Sequence, residues 1–292
     1  MTALWAVTRI QVDQDDTLLA FLVRELEDVK RNTIKTRLKH GAIYVNGTAV
    51  TQATSRLVRG DVVEWRREGG GAVSGGGLPV LLMDKDLIVV DKPSGLLTLP
   101  SHRPVENERN AIELAAAPLL TNRSLFACHR LDRESSGALL IARSEEIKSY
   151  FFSHWVEVEK RYIVVVEGQV PQDEGTIDAP LFENLESKAV HVSDRHGCKD
   201  AITHFRVRAR GPDRTLLEII LETGRRHQIR AHFAHGGHPV VGDPRYGNGK
   251  RGAPRMCLHS YRLTFKHPVT SVNTVVECPP PKTFSRLCHA VR

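Results

Sequence analysis

One nine-residue segment of the chain, HRLDRESSG at 129–137, places a carboxylate between two arginines. The carboxylate is Asp132, and its neighbours are Arg130 and Arg133. An apolar run, ALLIA, comes next and is typical of a buried strand. A carboxylate at this position could act as a nucleophile or as a base. It could equally form a structural salt bridge with either arginine, and these residues alone leave both interpretations open.

A second segment that could do chemistry, GRRHQIRAHFAHGGHPVVGDPRYG, spans residues 224–247. Ile229 and Phe233 stand four positions apart, which predicts a helical face packed on a core. Arg230 projects from the next face, and the pair Gly236–Gly237 predicts the end of the helix. Because a planar guanidinium can bind a carboxylate through two hydrogen bonds, Arg230 is a candidate partner for a carboxylate elsewhere in the chain.

The same segment contains a histidine cluster that raises the alternative of a metal site. His227, His232, His235 and His238 lie close in sequence, and the last three have a spacing that a metal could use. The chain has no HExxH motif and no nearby cysteine pair, so we expect structural histidines and no metal. The stretch GNGKRG at 247–252 has the wrong pattern for a Walker-type loop, and no GxGxxG motif follows a predicted strand, which argues against nucleotide-driven chemistry.

The bulk composition favours a polyanionic partner. The chain has 292 residues, a formal net charge of +7 and a pI near 9.3. Its five cysteines are odd in number and form no CxxC pair, so a reducing cytoplasm fits better than a disulfide framework or a zinc ribbon. The N-terminal residues show no signal-peptide pattern, and no apolar run reaches the ~18 residues of a membrane span. We therefore expect a cytoplasmic protein without a membrane partner.

A glycine-rich segment divides the chain. Residues 68–78 read EGGGAVSGGGL, with six glycines in eleven residues, a composition that disfavours both helix and strand. The segment predicts a linker between a first unit, residues 1–67, and a second unit, residues 79–292. The alternative is a long loop inside one domain.

The first unit is predicted to contain two helices followed by a small sheet. Leucines at 18, 19, 22 and 26 have helical spacing, Asn32 can cap a second helix, and Asn46-Gly47 between β-branched residues predicts a hairpin. The second helix carries only basic charges. These are Lys30, Arg31, Lys35, Arg37 and Lys39. Such a run could be a solvated helix face, or it could contact phosphates.

The second unit is predicted to be an α+β domain. Short β-rich runs joined by turns alternate with four helical stretches, at about 110–118, 145–155, 226–235 and near the C-terminus. This pattern predicts a large mixed, mostly antiparallel sheet with flanking helices.

Several long motifs of this second unit occur in an order that resembles the RluA-type pseudouridine synthases. They are VVDKPSGLLT at 89–98, HRLDxxSSG at 129–137, KRY at 160–162, GRxHQIRxHxAHxGHPxVGDxxYG at 224–247 and LHSYRLTFxHP at 258–268. The resemblance covers residues 79–292. It implies a mixed sheet with a central cleft, and the conversion of uridine to pseudouridine in structured RNA without a metal or organic cofactor.

The first unit resembles the S-four, or αL, RNA-binding domain. Two short helices precede a VNG turn at 45–47 and a Gly-Asp pair at 60–61, as in that domain. Asn32-Thr33 stands where members often have a Ser-Arg pair. An S-four domain in this family favours ribosomal RNA as the substrate, with tRNA possible, and we expect a monomer.

The resemblance also implies roles for particular residues. Asp132 matches the catalytic aspartate, and Arg230 matches the arginine that pairs with it. Tyr162 matches a tyrosine that lies against the uracil, and Arg130 is expected to contact RNA near the flipped base. Arg226 stands where threonine or lysine is usual, outside the reacting groups.

Overall fold

The computed structural model of the chain contains two compact units, Met1–Ala72 and Val73–Arg292. It describes residues 8–26, 31–39, 43–46, 48–50, 52–65, 78–101, 108–117, 124–184, 189–247 and 253–288. The boundary between the units lies inside the glycine-rich segment 68–78, of which only Leu78 belongs to the described residues.

The small unit is built from short helices and strands. Its elements are β1 (Thr8–Gln11), β2 (Asp16–Thr17), α1 (Leu18–Glu25), α2 (Arg31–Lys39), β3 (Ile43–Val45), β4 (Thr48–Ala49), β5 (Arg56–Leu57) and β6 (Val62–Trp65). An antiparallel sheet has the order β1-β6-β3-β4, and β2 pairs with β5. The predicted helices and hairpin are confirmed, and α1 and α2 bury apolar side chains at helical spacing, such as Leu18 and Leu22 or Ile34 and Leu38.

Asn32 and Asn46 were expected to shape a helix start and a hairpin turn of this unit. The predicted N-cap role of Asn32 is wrong, because α2 begins at Arg31 and Asn32 lies in its first turn. Asn46 adopts the left-handed conformation that the hairpin turn requires, with φ 49°. Its side chain donates to Asp61 Oδ1 at 2.8 Å and accepts from the Val62 N–H at 2.9 Å, so the hairpin is held against the start of β6.

The large unit contains most of the strands, four α-helices and a short 3-10 helix (Trp155–Glu157) among its described residues. Its strands are β7 (Val80–Met83), β8 (Leu87–Lys92), β9 (Phe126–Ala127), β10 (Ser136–Ala142), β11 (Glu159–Glu167), β12 (Glu174–Asp178), β13 (Leu181–Glu183), β14 (Val190–Val192), β15 (Ile202–Arg210), β16 (Arg214–Leu221), β17 (Leu258–Lys266) and β18 (Asn273–Glu277). Its helices are α3 (Ala111–Ala116), α4 (Glu145–His154), α5 (Gln228–His235) and α6 (Lys282–Cys288).

Ten of these strands form one sheet with the order β12-β15-β16-β11-β17-β10-β8-β7, to which β18 adds beside β17 and β9 beside β10. The pair β10–β17 is parallel, and the other pairs of this sheet are antiparallel. This confirms the predicted mixed, mostly antiparallel α+β fold. The short strands β13 and β14 form a separate hairpin.

Helices cover both faces of the sheet because the central strand β11 alternates its side chains. Tyr162, Val164 and Val166 pack in one cluster with Ile229 and Phe233 of α5. Ile163 and Val165 belong to a second cluster that includes Phe284 of α6. The face covered by α5 is therefore the face that presents Tyr162.

Gly137 allows β10 and β17 to approach each other at their parallel crossing. Its φ is +111°, and a Cβ at this position would lie 2.2 Å from the carbonyl oxygen of Ser260. Only glycine fits without a backbone shift, which explains the final residue of the HRLDRESSG segment.

Two further sequence expectations concern cysteines and membranes. All five cysteines are free thiols. Within the part of the chain that the structure describes, no helix combines the length and the apolar character needed to cross a membrane.

Candidate active site

Asp132 lies in a tight turn just before β10. The Ser135 N–H donates to the Asp132 carbonyl at 3.1 Å, which closes the turn. The buried side chain of Thr98 holds the preceding residue from both sides, because its hydroxyl donates to the Leu131 carbonyl at 2.7 Å and accepts from the Leu131 N–H at 3.1 Å. The backbone that carries Asp132 is therefore fixed on both sides of the carboxylate.

The carboxylate of Asp132 pairs with Arg230 from α5, as the sequence predicted for that arginine. Arg230 Nη1 donates to Asp132 Oδ2 at 2.8 Å, and the two side chains are 3% and 15% exposed. Neither neighbouring arginine takes this place: Arg133 pairs with Glu108 at 3.0 Å, and Arg130 is exposed and forms no ion pair with any described residue. The salt bridge with a sequence neighbour is thus not the arrangement found.

Arg230 is held from its other side by Asp243, a residue to which the sequence reasoning assigned no role. Arg230 Nε donates to Oδ2 at 2.7 Å and Nη2 donates to Oδ1 at 2.8 Å, a two-bond contact with a fully buried carboxylate. Burial opposes the charge on Arg230, but Asp243 and Asp132 together raise its pKa. The sequence signal for Asp243 was the GDPRYG stretch within the motif at 224–247. A buried aspartate that follows a tight glycine turn needs a cationic partner.

His227 is a second residue that the sequence analysis left without a role in the site. It precedes α5 in the left-handed conformation, with φ 52°, which is uncommon for a residue with a side chain. Its Nδ1 lies 2.9 Å from the Tyr246 hydroxyl, and its Nε2 lies 3.7 Å from Asp132 Oδ1. Burial lowers the pKa of His227 to about 4, so the ring is neutral near pH 7.

Tyr162 lies on β11 beside an irregularity in the pairing with β17, and its side chain is 8% exposed. Burial, together with the negative charge of Asp132, raises the pKa of this phenol. Tyr162 is therefore a neutral hydroxyl on the α5-covered face of the sheet, near the carboxylate.

Lys92, at the end of β8, is a third residue of the site to which the sequence assigned no role. It is completely buried, and its ammonium donates to the carbonyls of Pro93 at 3.0 Å, Leu96 at 2.6 Å and Arg133 at 3.4 Å. Burial lowers the pKa of Lys92 to about 8. The residue ties the loop after β8 to the turn that carries Asp132.

An aromatic contact connects the two segments that supply Asp132 and Arg230. The indole of Trp155 stacks on His129, with ring centroids 4.8 Å apart, and lies beside Gly224. His129 Nε2 accepts from the Leu140 N–H at 3.0 Å, and burial lowers the pKa of His129 to about 3.

The histidines of the second motif are engaged separately in the structure. Both ring nitrogens of His232 are hydrogen-bonded, one to Thr203 Oγ1 and one to the Ala179 carbonyl, each at 2.9 Å. His238 Nδ1 contacts the Glu167 carbonyl at 2.9 Å. These contacts give His232 and His238 structural partners, as the sequence analysis expected for histidines in this segment.

A different group with metal-like spacing consists of Asp84, Asp86 and His267. His267 Nδ1 accepts from the N–H groups of Val269 and Thr270, each at 3.2 Å, which leaves Nε2–H to donate to Asp84 Oδ2 at 3.0 Å. With both ring nitrogens engaged, His267 has no lone pair left for an ion.

The basic residues predicted to bind RNA lie in the small unit. Arg31 and Lys35 are exposed on α2, one turn apart on the same face. Arg37 and Lys39 lie further along this helix, but their side chains are outside the described part of the chain. Lys30 also lies outside the described residues.

A hollow of about 440 Å³ opens on the α6-covered side of the sheet, lined in part by Arg161, Arg208 and Glu218. Because Arg161 precedes Tyr162 in β11, its side chain points away from the face that carries Tyr162. Arg161 donates to Glu218 at 3.2 Å, and Arg208 is also bonded to this carboxylate. The predicted catalytic residues are elsewhere.

Comparisons with known proteins match this chain to RNA pseudouridine synthases. The family model described as RNA pseudouridylate synthase matches residues 86–235. The chain is 31% identical over 297 aligned residues to an uncharacterised RNA pseudouridine synthase of Bacillus subtilis, YlyB, covering 98% of this chain and 97% of the relative. It is 34% identical over 232 residues to the ribosomal large subunit pseudouridine synthase D of Xanthomonas campestris, covering 74% and 70%.

A solved structure shows the same fold. The human protein RNA pseudouridylate synthase domain containing 1 superposes with a TM-score of 0.59 at 24% identity, over 73% of this chain and 86% of the human chain.

Proposed function

The chain belongs to the RluA-type RNA pseudouridine synthases, a family of isomerases, and on this premise we propose that Asp132 is its catalytic residue. The observation that supports this assignment is the 2.8 Å ion pair between Asp132 Oδ2 and Arg230, whose side chain is 3% exposed. A carboxylate that is paired with a buried arginine, yet is still partly accessible, suits attack on a substrate better than a purely structural role does.

The reaction breaks the bond between N1 of uracil and C1′ of ribose, turns the base, and joins C5 to C1′. The hydrogen on C5 leaves as a proton, and N1 ends protonated, so the product is an isomer of the substrate. Asp132 can serve as a nucleophile toward the base or the sugar, or as a base on the sugar. All three roles need an ionised carboxylate with a free oxygen, and Oδ1 forms no hydrogen bond to a described residue.

Arg230 orients the carboxylate of Asp132. It contacts Asp132 through one nitrogen and Asp243 through two, so the guanidinium cannot rotate without breaking the contact with Asp243. The buried arginine thereby has a carboxylate partner on each side, and its pair with Asp132 is a charge-assisted hydrogen bond.

Tyr162 and Arg130 complete the proposed substrate site. Tyr162 presents a neutral hydroxyl near Asp132, where it can lie against the uracil and assist proton transfer at C5. Arg130 is exposed two residues before Asp132, a position from which it can contact RNA next to the extruded nucleotide. Extrusion of the uridine costs a few kcal/mol, which RNA contacts must offset.

We assign the small unit to RNA binding as an S-four-like domain joined by the glycine-rich linker at 68–78. The basic helix α2, with Arg31 and Lys35 exposed, is the proposed phosphate-contacting surface, to which Lys30, Arg37 and Lys39 add charge. A relative named ribosomal large subunit pseudouridine synthase D favours large-subunit ribosomal RNA as the substrate, and tRNA is the second candidate. The monomeric state and the cytoplasmic location stay predictions.

The test uses RNA that carries tritium at C5 of uridine, because the isomerisation must release this label into water. Bulk ribosomal RNA and bulk tRNA are assayed separately with the wild-type chain and with Asp132→Asn, in the presence and absence of a chelator. We expect release from ribosomal RNA by the wild type, unchanged by the chelator and lost in the variant.

Other results of this assay would change the assignment. Release from tRNA alone would move the substrate to tRNA. Binding of RNA without release would favour a catalytically silent RNA-binding protein. Release that survives Asp132→Asn would show that another residue is catalytic, and release abolished by the chelator would indicate metal-dependent chemistry.

A further inference from the structure

The two carboxylate oxygens of Asp132 have different surroundings. Oδ2 accepts from Arg230 at 2.8 Å, whereas Oδ1 faces His227 Nε2 across 3.7 Å. That distance is longer than a hydrogen bond, but a shift of less than about 1 Å would close it. In free enzymes such contacts are often long and tighten when the substrate binds.

Tyr246 determines which nitrogen of His227 carries the proton. The Tyr246 hydroxyl accepts from the Val190 N–H at 3.0 Å, so its own hydrogen is available for His227 Nδ1 at 2.9 Å. The neutral ring then carries its hydrogen on Nε2, directed toward Asp132. The opposite tautomer would place a nitrogen lone pair in front of the negative carboxylate, which is unfavourable.

The surroundings of His227 also fix the position of its ring. The ring lies nearly edge-on to Tyr246, with centroids 5.6 Å apart, and the guanidinium of Arg230 lies 5.1 Å from the centroid of the Tyr246 ring. The left-handed backbone of His227, at φ 52°, is an uncommon conformation, and such conformations are found preferentially at functional sites.

We propose that His227 is a positioning residue for Asp132: locked as the Nε2–H tautomer by Tyr246, it donates to Asp132 Oδ1 when the site closes around the target nucleotide. Together with Arg230 on Oδ2, this second donor fixes the plane of the carboxylate. Oδ1 keeps a lone pair for the reaction, because a carboxylate oxygen accepts more than one hydrogen bond. The inference rests on the proposed catalytic role of Asp132.

Burial is the main cause of the lowered pKa of His227, and it favours the neutral ring. Asp132 favours a protonated imidazolium, whereas Arg230, Arg226 and Arg245 disfavour it. A neutral donor is thereby kept beside a carboxylate whose charge is already balanced by Arg230.

The first arm of the test is spectroscopic and independent of activity. The full chain is labelled with ¹⁵N-histidine, and long-range ¹H–¹⁵N correlations report the tautomer of each ring between pH 5.5 and 8. The His227 signals are identified by their loss in His227→Gln. We expect a neutral Nε2–H ring over this range, and a mixture of both tautomers in Tyr246→Phe.

The second arm separates a donor role from a backbone role with two matched substitutions. His227→Asn suits the left-handed backbone but its amide is too short to reach Oδ1, whereas His227→Gln fits the backbone less well but can place a donor near Nε2. Single-turnover tritium release from labelled ribosomal RNA, at saturating enzyme, is measured for both. We expect the rate to fall about 10- to 100-fold in His227→Asn and much less in His227→Gln, with RNA affinity unchanged in both.

Two results would overturn the inference while leaving the proposed function intact: an Nδ1–H ring at His227, or a His227→Asn rate equal to or above that of His227→Gln when the wild type is active. No tritium release by the wild type from either RNA pool would overturn the proposed function, and this inference with it. An Nε2–H ring and a faster His227→Gln together support it.

Discussion

The two units of the chain bury different kinds of side chain. Among the described residues of the small unit, the buried ones are all apolar, such as Phe21 and Leu22, and charged groups such as Arg24 and Asp13 pair at the surface. The large unit buries charged groups as well, including Lys92, Arg230 and Asp243. Because a buried charge is costly unless it is paired and hydrogen-bonded, such groups are expected where they serve a further purpose.

These three residues of the large unit lie around the turn that carries Asp132, whereas the buried Glu218 lies at the hollow beside Arg161. Lys92 holds that turn through the Arg133 carbonyl, and Arg230 with Asp243 holds the carboxylate itself. The small unit thus buries apolar side chains and keeps its charges at the surface, whereas the large unit buries charged groups that orient the proposed catalytic carboxylate.

Asp243→Asn should have the largest effect. It keeps the side-chain shape but removes the charge that balances Arg230, so we expect single-turnover tritium release to fall by at least about 100-fold and the free energy of unfolding to drop by about 3 kcal/mol. Urea denaturation and the tritium assay measure the two effects. The matched change Asp13→Asn, in the exposed surface pair with Arg24 of the small unit, should leave both nearly unchanged; equal effects would contradict the contrast.

Leu22→Ala should damage the small unit alone. Leu22 is 1% exposed in the apolar cluster of that unit, and such truncations cost about 2–5 kcal/mol. We expect faster hydrogen exchange across α1 and α2, weaker RNA binding, and a single-turnover rate at saturating enzyme close to that of the wild type. A large fall in that rate would mean that the small unit takes part in the chemical step.

Lys92→Met should lower the stability of the catalytic unit by about 2 kcal/mol. Methionine can fill the space, but it leaves the carbonyls of Pro93, Leu96 and Arg133 without their common donor. Urea denaturation of the full chain checks this. Wild-type stability in the variant would show that the three carbonyls find other partners.

Mild acid should destabilise the catalytic unit more than the small one. The folded pKa of His129 is about 3, below the ordinary 6.5, so the unfolded chain takes up a proton first and stability falls as the pH drops below about 6.5. A histidine whose folded pKa is lowered in this way reduces the free energy of unfolding by about 1.4 kcal/mol for each pH unit that the pH falls through this window. The small unit contains a single histidine, His40.

Urea denaturation between pH 7.5 and 5 measures this slope. The variant His129→Gln, in which an amide oxygen can accept from the Leu140 N–H, should reduce the slope by the share of one histidine. An unchanged slope would mean that His129 is protonated in the folded chain.

Neutralising the exposed basic face of α2 should have the smallest effect. Arg31→Gln combined with Lys35→Gln should weaken RNA binding several-fold and reduce the steepness of its salt dependence, because each phosphate contact contributes about 0.7–0.9 to that slope. Arg56→Gln, at an exposed arginine outside α2, is the control. Equal losses in the control would point to general charge rather than to this helix.

Much of the local structure could be predicted from residue spacing. Leucines at helical intervals marked α1, the Asn46-Gly47 pair marked the hairpin, and Ile229 with Phe233 marked α5 and the orientation of Arg230. Local spacing succeeds here because helical and strand periodicity are properties of neighbouring residues. The N-cap prediction at Asn32 failed because a cap depends on where the preceding segment enters the helix.

The sequence by itself determined the family, the elements and the candidate carboxylate. The resemblance already implied the contact with Arg230, which is 98 residues away. Only the tertiary structure decided which other groups meet there, with Asp243 behind the arginine and His227 opposite Oδ1. Such contacts depend on the order of strands in the sheet and on the packing of α5 against it. Periodicity along the chain carries no information about them, because it describes one element at a time.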